Sequence, residues 1–441
     1  MSLSDKLKNT RPRPRPRAEP LWAGPCGEGP QGGVTQSMLS RFLVCRERFR
    51  LKVVEGLTSD SGFDHRMEFG NMWHLCEERH AEGLSMAKVI EQLQAYARNL
   101  CRQHPTQQEQ VDHWYNICKR QFPLYVDYWA KHPDIESRTP LLQEQVFDVP
   151  YRLPSGRTVR LRGKWDSVDL VGKGANAGIW LMENKTKGQI NEGQMRRQLT
   201  FDLQTMMYLI ALESCDVPIR DLNKPFHGYD PKTTKLSQDQ LNGLFKKLPI
   251  IGVRYNVIRR PLSGGKGSII RHKATAGSKC GPCKGTGYKD AVKCLKCRGA
   301  GRVGAKPEES KADFYDRVVQ YIRDEPETYF MRWNVVVTPG DIAKFRREFL
   351  DPILEQLCDW WEWVIHCYAE LDESKRDPFR PRTFRTSDGR FIPTPHWRHP
   401  FGVRNIMDEG GYTDVDEYLA SGSEIGLRRA ETLFGELEEP A

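Results

Sequence analysis

Residues 143–188 read QEQVFDVPYRLPSGRTVRLRGKWDSVDLVGKGANAGIWLMENKTKG, and this stretch decides the architecture. Short β-rich runs are separated by Pro154-Ser155-Gly156 and by the loop from Gly172 to Gly178, which predicts three antiparallel strands joined by hairpins. Successive side chains on a strand point to opposite faces, so Glu183 and Lys185 share a face and Asn184 turns away. If the last two strands are neighbours, Asp166 meets Glu183 across the ladder. Two convergent carboxylates make a hard, anionic oxygen site that suits Mg²⁺ or Mn²⁺ with water positions left open, as phosphodiester hydrolysis requires. Lys185 would orient the water or stabilise charge developing on phosphorus. An isolated Glu-X-Lys is ordinarily a surface ion pair. This one follows an apolar run and a strand ending in Asp, and it precedes a helix.

That helix is predicted over Gln194–Ser214, with Leu199, Leu203, Met206, Met207 and Ile210 as its buried stripe. It presents Gln204 and Tyr208 one turn apart on a single face. Upstream, Leu39, Phe42, Leu43, Arg46, Phe49 and Val53 recur at helical spacing, and MEFGNMWHLCEERHAEGL predicts a second helix. Helical pattern continues to about Lys131. Downstream, GVRYNVIRRPL reads as another strand. Beyond a cysteine-rich insert, FYDRVVQYIRDEP and DIAKFRREFLDPILEQLCDWWEWVIHCYAEL return to helix. Trp360, Trp361 and Trp363 on the latter could stack on bases, but aromatic residues on a helix more often belong to the core.

The chain has 441 residues, with 38% hydrophobic against 28% charged, so it can bury a core and is neither wholly disordered nor fibrous. It shows neither a secretory-type apolar segment at its start nor a run of about 18 apolar residues, so a soluble, cytoplasmic protein without membrane partners is expected. The net charge of +9 is unevenly spread. Residues 1–50 carry +6 and residues 252–307 carry +13, leaving −10 on the remainder. Two basic segments on an acidic body point to a polyanionic partner, with nucleic acid first.

The order Gly70–His74, Asp166, Glu183–Lys185, Gln204–Tyr208 resembles the PD-(D/E)XK nuclease superfamily, in particular its RecB/Cas4-like branch and related phage-encoded nucleases. The resemblance covers about residues 37–260 and extends over 310–370. It implies an α/β restriction-endonuclease-like core, a central mixed sheet flanked by helices. It also implies that His74, Asp166 and Glu183 ligate a catalytic Mg²⁺ or Mn²⁺, that Lys185 acts on the nucleophilic water, and that Gln204 and Tyr208 support the site and the DNA backbone. Glu144 is a weaker candidate for a second-metal ligand and is expected to be an exposed carboxylate. Relatives often hold a [4Fe–4S] cluster with one early and three late cysteines. Cys45 stands where the first would lie, but residues 393–419 contain no cysteine, so no iron–sulfur cluster is expected and Cys45 reads as a buried apolar residue.

Cys280-Gly-Pro-Cys283-Lys-Gly-Thr-Gly287 and Cys294-Leu-Lys-Cys297-Arg-Gly-Ala-Gly301 are two copies of CxxCxGxG. Four thiolates at this spacing predict a closed tetrahedral structural Zn²⁺ site, and the knuckles resemble those of DnaJ-type chaperones. Lys279, Lys284, Lys289, Lys293, Lys296, Arg298 and Arg302 surround them, which favours DNA contact over protein docking or a purely structural role.

These readings divide the chain into a flexible basic Arg/Pro tail (1–36), a nuclease core (37–261), a zinc-ribbon-like insert (262–307), a core continuation (308–377) and a C-terminal extension (378–441). The function they imply is that of a Mg²⁺-dependent deoxyribonuclease, exonuclease-like by analogy, with DNA and a replication or recombination protein as partners, acting in the host cytoplasm if phage-encoded. The alternative is a catalytically idle nuclease-like scaffold that binds nucleic acid or such a partner.

Overall fold

The computed structural model describes residues 20–44, 46–54, 56–59, 63–132, 138–171, 177–188, 202–214, 248–262, 269–304, 307–369 and 427–437, with isolated positions at 193, 237, 240 and 243. Cys45 and the run from Arg11 to Arg17 lie outside these residues, as does the predicted start of the Gln194–Ser214 helix.

In chain order, β1 (Val34–Thr35) leads into α1 (Gln36–Val44), and β2 (Leu57–Ser59) precedes three long helices, α2 (His65–Ala81), α3 (Met86–Gln103) and α4 (Gln108–Ala130). The predicted hairpins follow as β3 (Arg138–Arg152), β4 (Thr158–Val171) and β5 (Gly178–Lys187). Then come α5 (Leu203–Ser214) and β6 (Ile250–Arg259). Four two-residue strands, β7 (Ser278–Lys279), β8 (Tyr288–Lys289), β9 (Val292–Lys293) and β10 (Arg302–Val303), frame the cysteines. The chain closes with α6 (Lys311–Asp324), β11 (Phe330–Val336), α7 (Pro339–Phe345), α8 (Asp351–Ala369) and β12 (Leu427–Arg429).

The central sheet has six strands and is mixed. β3 runs antiparallel along one edge of β4, and the other edge is shared by β1, parallel, and β5, antiparallel. β6 then adds parallel to β5 and β11 antiparallel to β6. Because β5 and β6 are parallel, their connection must cross a face of the sheet, and α5 lies on that connection. β5 is apolar on both faces from Ile179 to Met182, the texture of a strand covered on both sides. One apolar cluster joins α1, α5 and α8 to the sheet through Trp165, Val168 and Leu181, and the other joins α2, α3, α4 and α6 to Ile258 and Phe330. The fold is thus an α/β sheet flanked by helices, as expected.

Residues 20–36 differ from the tail expected by sequence. Trp22 is fully buried and its indole donates to the Gly33 carbonyl at 2.9 Å. Arg160 donates to the carbonyls of Gly27 and Gly29, and Arg162 to those of Pro30 and Gly32. A buried indole and four satisfied carbonyls pin a Gly/Pro-rich segment that has no apolar period of its own. Near the other terminus, β12 pairs with β2, and Phe434 is buried in the cluster that contains Trp22. Trp360 packs on Phe42 and Phe49, and Trp361 on Trp22, so these two belong to the core, while Trp363 is 40% exposed. No helix among the described residues is long and apolar enough to cross a membrane.

Candidate active site

The β4–β5 register pairs Ser167 with Met182, and one step further along the two strands places Asp166 opposite Glu183. On the other side of β4, Gln143 pairs with Ser167 and Gln145 with Trp165, which sets Glu144 opposite Asp166. Three carboxylates therefore stand in a row across three strands. Glu144 has φ 47°, the left-handed region, which costs a non-glycine residue about 1–2 kcal/mol. Its carboxylate is held there by two cations, accepting from Lys164 Nζ at 2.6 Å and lying 3.0 Å from His74 Nδ1. With a side chain only 7% exposed, Glu144 is a buried member of the site and not the exposed carboxylate expected by sequence.

His74 reaches the row from α2. Gly70, one turn earlier, lies over β5, where even a Cβ would sit 3.5 Å from Thr186 Oγ1. That is an ordinary contact distance, so α2 packs closely on the strand there, and the same helix face delivers His74 to within 3.8 Å of Asp166. Asp166 is further fixed by the amide of Asn184, which donates to its Oδ2 at 2.8 Å. Asn184 turns away as predicted, and its side chain accepts from Asn256 on β6.

Glu183, Lys185 and Gln204 form a closed triangle. Lys185 Nζ donates to Glu183 Oε1 at 2.5 Å and to Gln204 Oε1 at 2.7 Å, while Gln204 Nε2 donates to Glu183 Oε1 at 2.7 Å. α5 thus places an amide between the carboxylate and the ammonium. Tyr208, one turn later, is 8% exposed and meets Phe147 edge-on. Its position is beneath the site, in the core.

Burial and the Asp166 charge push Glu183 up to about 7 against the pull of Lys185. Burial opposes protonation of His74, but Asp166, Glu144 and Glu183 outweigh it and raise the imidazole to about 9. Glu144 is lowered despite burial, because His74 and Lys164 stabilise its charge. Without a cation the cluster therefore retains protons, the behaviour of carboxylates crowded in a poorly solvated site.

The donor set fits a hard divalent ion. Ligand atoms of His74, Glu144 and Asp166 lie within 4.8 Å of one another. Glu183 Oε2 is buried with no hydrogen-bond partner, and leaving such an atom unmet costs about 1–3 kcal/mol. Carboxylate oxygens with one imidazole suit Mg²⁺ or Mn²⁺. Of the expected ligands, His74 and Asp166 lie 3.8 Å apart, and Glu183 stands opposite Asp166 with one buried oxygen unpartnered. Glu144, weighed as a second-metal ligand but expected to be exposed, joins them from a buried position, and Lys164 was not foreseen. For Lys164 the available signal was its period-two spacing from Asp166.

The four cysteines make a second, separate centre. Sγ of Cys280 and Cys294 are 3.7 Å apart, those of Cys283 and Cys297 are 3.6 Å apart, and all four are buried. These separations exceed a disulfide bond and match the roughly 3.8 Å expected between sulfurs placed about 2.3 Å from a tetrahedral zinc. The two knuckles mirror each other. The Cys280 amide donates to Gly301 and the Cys294 amide to Gly287, both at 2.9 Å. A Cβ on Gly287 would lie 2.3 Å from the Gly299 carbonyl oxygen, and one on Gly301 2.4 Å from that of Gly285. The second glycine of each CxxCxGxG is therefore required for the other copy to pack. Burial raises the Cys283 thiol, but amides of Gly287 and Gly285 outweigh it and bring it down to about 6, so this sulfur is readily a thiolate. The seven basic residues around the knuckles are all exposed and, among the described residues, none forms a salt bridge.

The family model described as the PD-(D/E)XK nuclease superfamily matches residues 34–226. That span contains all the residues of the carboxylate site and ends before the cysteines. No curated protein matches the chain.

Proposed function

We propose that the chain is a Mg²⁺- or Mn²⁺-dependent deoxyribonuclease of the RecB/Cas4-like kind. The observation that carries this reading is the convergence of His74, Glu144 and Asp166, with Glu183 opposite Asp166 on the neighbouring strand and Lys185 bonded to Glu183. The superfamily match over residues 34–226 supports hydrolysis of nucleic acid.

In this reading Asp166, Glu183, His74 and Glu144 hold the ion, which when bound polarises a phosphoryl oxygen and lowers the pKa of water. Lys185 orients the attacking water and faces charge developing on the phosphorus, and Gln204 keeps the ammonium and the Glu183 carboxylate in register. Tyr208 braces α5 against β3 and does not itself reach the substrate. Lys164 and His74 stabilise the charge of Glu144, and a bound ion would let Asp166 and Glu183 be charged beside it.

The cysteine knuckles are assigned one structural Zn²⁺, which would organise a segment with almost no apolar core. Their exposed lysines and arginines are assigned to the DNA backbone. Exonuclease-like action, service in replication or recombination, and a cytoplasmic setting, in a host cell if phage-encoded, follow from the resemblance.

The test incubates purified protein with linear duplex, single strand and closed circle in Mg²⁺, Mn²⁺ or EDTA. Metal-dependent loss of linear DNA is expected. Retained binding with no cleavage of any form in either metal would replace the enzyme by an idle nuclease-like scaffold.

A further inference from the structure

Beyond the carboxylate row, β5 and α2 carry a second group of charges. The alternation of a strand returns Lys187 to the face of Glu183 and Lys185. Its carbonyl accepts the amide of Arg260 at 2.8 Å, just past the end of β6. α2 lies over β5 at Gly70 and Thr186, so its first turn, opened by Asp64 and His65, extends beyond the site on the Lys187 side. Arg66 and Asp64 are the charges that Arg260 feels there, and Arg260 in turn acts on His65 and Lys187.

Arg260 is 8% exposed, and its Nε is buried with no hydrogen-bond partner. Among the described residues no carboxylate forms a salt bridge with it. Asp64 already accepts the Arg66 amide at 2.8 Å as the cap of α2. Three cations, Arg66, Lys187 and Arg260, thus stand near the start of α2 with two carboxylates, Asp64 on the Arg260 side and Asp202 on the Lys187 side. Buried charge is ordinarily paired, and a buried arginine whose Nε has no hydrogen-bond partner suits an oxyanion.

The group is spaced from the carboxylate row along two independent paths. From Glu183 to Lys187 the strand rises about 13 Å. From His74 back to His65 the helix rises about 13 Å.

We propose that Arg260, Arg66 and Lys187, with the first turn of α2, form a phosphate-binding subsite that holds a second phosphate of the substrate strand about 13 Å from the carboxylates. This rests on the nuclease reading for the identity of the strand, though not for the phosphate chemistry. A strand held at two points on one line can slide only along that line, so the subsite sets its direction through the site. The phosphate is either an internal diester or a terminal monoester.

The test uses the full chain in EDTA, so that binding is read without cleavage. Short single-stranded oligonucleotides with a 5′-phosphate or a 5′-hydroxyl are titrated against the protein and its Arg66→Gln, Lys187→Gln and Arg260→Gln variants, and thermal melts are followed with inorganic phosphate. Each exposed-residue variant should weaken oligonucleotide binding about tenfold at low salt and lower the magnitude of the log K versus log salt slope by about 0.7. Weakening confined to the 5′-phosphorylated strand assigns the terminal monoester, and equal weakening on both strands the internal diester. Should Arg260→Gln fail to fold, Arg66→Gln and Lys187→Gln decide. Unchanged affinity and slope in both would overturn the subsite while leaving the nuclease reading in place. Stabilisation by inorganic phosphate that Arg66→Gln abolishes, with no oligonucleotide bound by any form, would keep the subsite and sink the nuclease reading. Binding of neither probe by the unaltered protein overturns both.

Discussion

The Glu144 carboxylate and the His74 imidazole lie 3.0 Å apart, joining a strand residue in a left-handed conformation to a helix seventy residues earlier. The contact closes the carboxylate row on its outer side. Glu144→Gln keeps the shape and removes the charge, so Mn²⁺ affinity should fall by about 10–100-fold while the melting temperature stays within a few degrees. Titration of metal-free protein with Mn²⁺ checks this. Native affinity in the variant would return Glu144 to a merely structural role.

Asp166→Ala, Glu183→Ala and Lys185→Ala should each remove most cleavage while retaining the fold and much DNA affinity, since they act on metal ligation or water activation. Glu183→Ala turning over DNA at a near-native rate would end the assignment. Gln204→Ala should lower kcat by a smaller factor, because it releases Lys185 and Glu183 from their shared amide without removing either. Tyr208→Phe should cost least, its ring packing against Phe147 being preserved.

Glu183 is raised to about 7 and His74 to about 9, so both carry protons in the metal-free protein at pH 6. A cation must displace those protons, and raising the pH removes the competitor. Metal affinity should therefore climb from pH 6 to about pH 9 and then level off, with proton uptake by the buffer largest at the acid end. Calorimetry of Mn²⁺ binding in two buffers of different ionisation enthalpy measures the released protons. A flat profile across this range would contradict the crowded-carboxylate account.

Metal analysis should find close to one zinc per chain, and Cys280→Ser with Cys297→Ser should release it. Replacing residues 262–307 by a Gly/Ser linker should weaken DNA binding and reduce the magnitude of the salt slope by about 0.9 for each duplex phosphate that the segment neutralises. The double serine variant keeps the charge of the segment and separates folding from electrostatics. Unchanged affinity and slope after the deletion would point to protein docking in place of DNA binding by the knuckles.

The reach of the amino-acid pattern was local. Strand alternation put Glu183 and Lys185 on one face and sent Asn184 to the other. Helical spacing put Gln204 and Tyr208 a turn apart, and CxxCxGxG assembled each cysteine pair with the glycines its turn demands. These follow from periods and turn chemistry that a few neighbouring residues define. Every relation across elements came from the packing of the fold. The burial of Glu144 depends on the β3–β4 register and on a left-handed residue that two cations from elsewhere hold in place. The ordering of residues 20–36 depends on Trp22 finding a cavity lined by Phe49 and Trp361, far away in the chain. Arg260 acquires its isolation only where the end of β6 meets the start of α2. Burial and charge are set by what the whole fold brings near a side chain, and no local pattern contains that information.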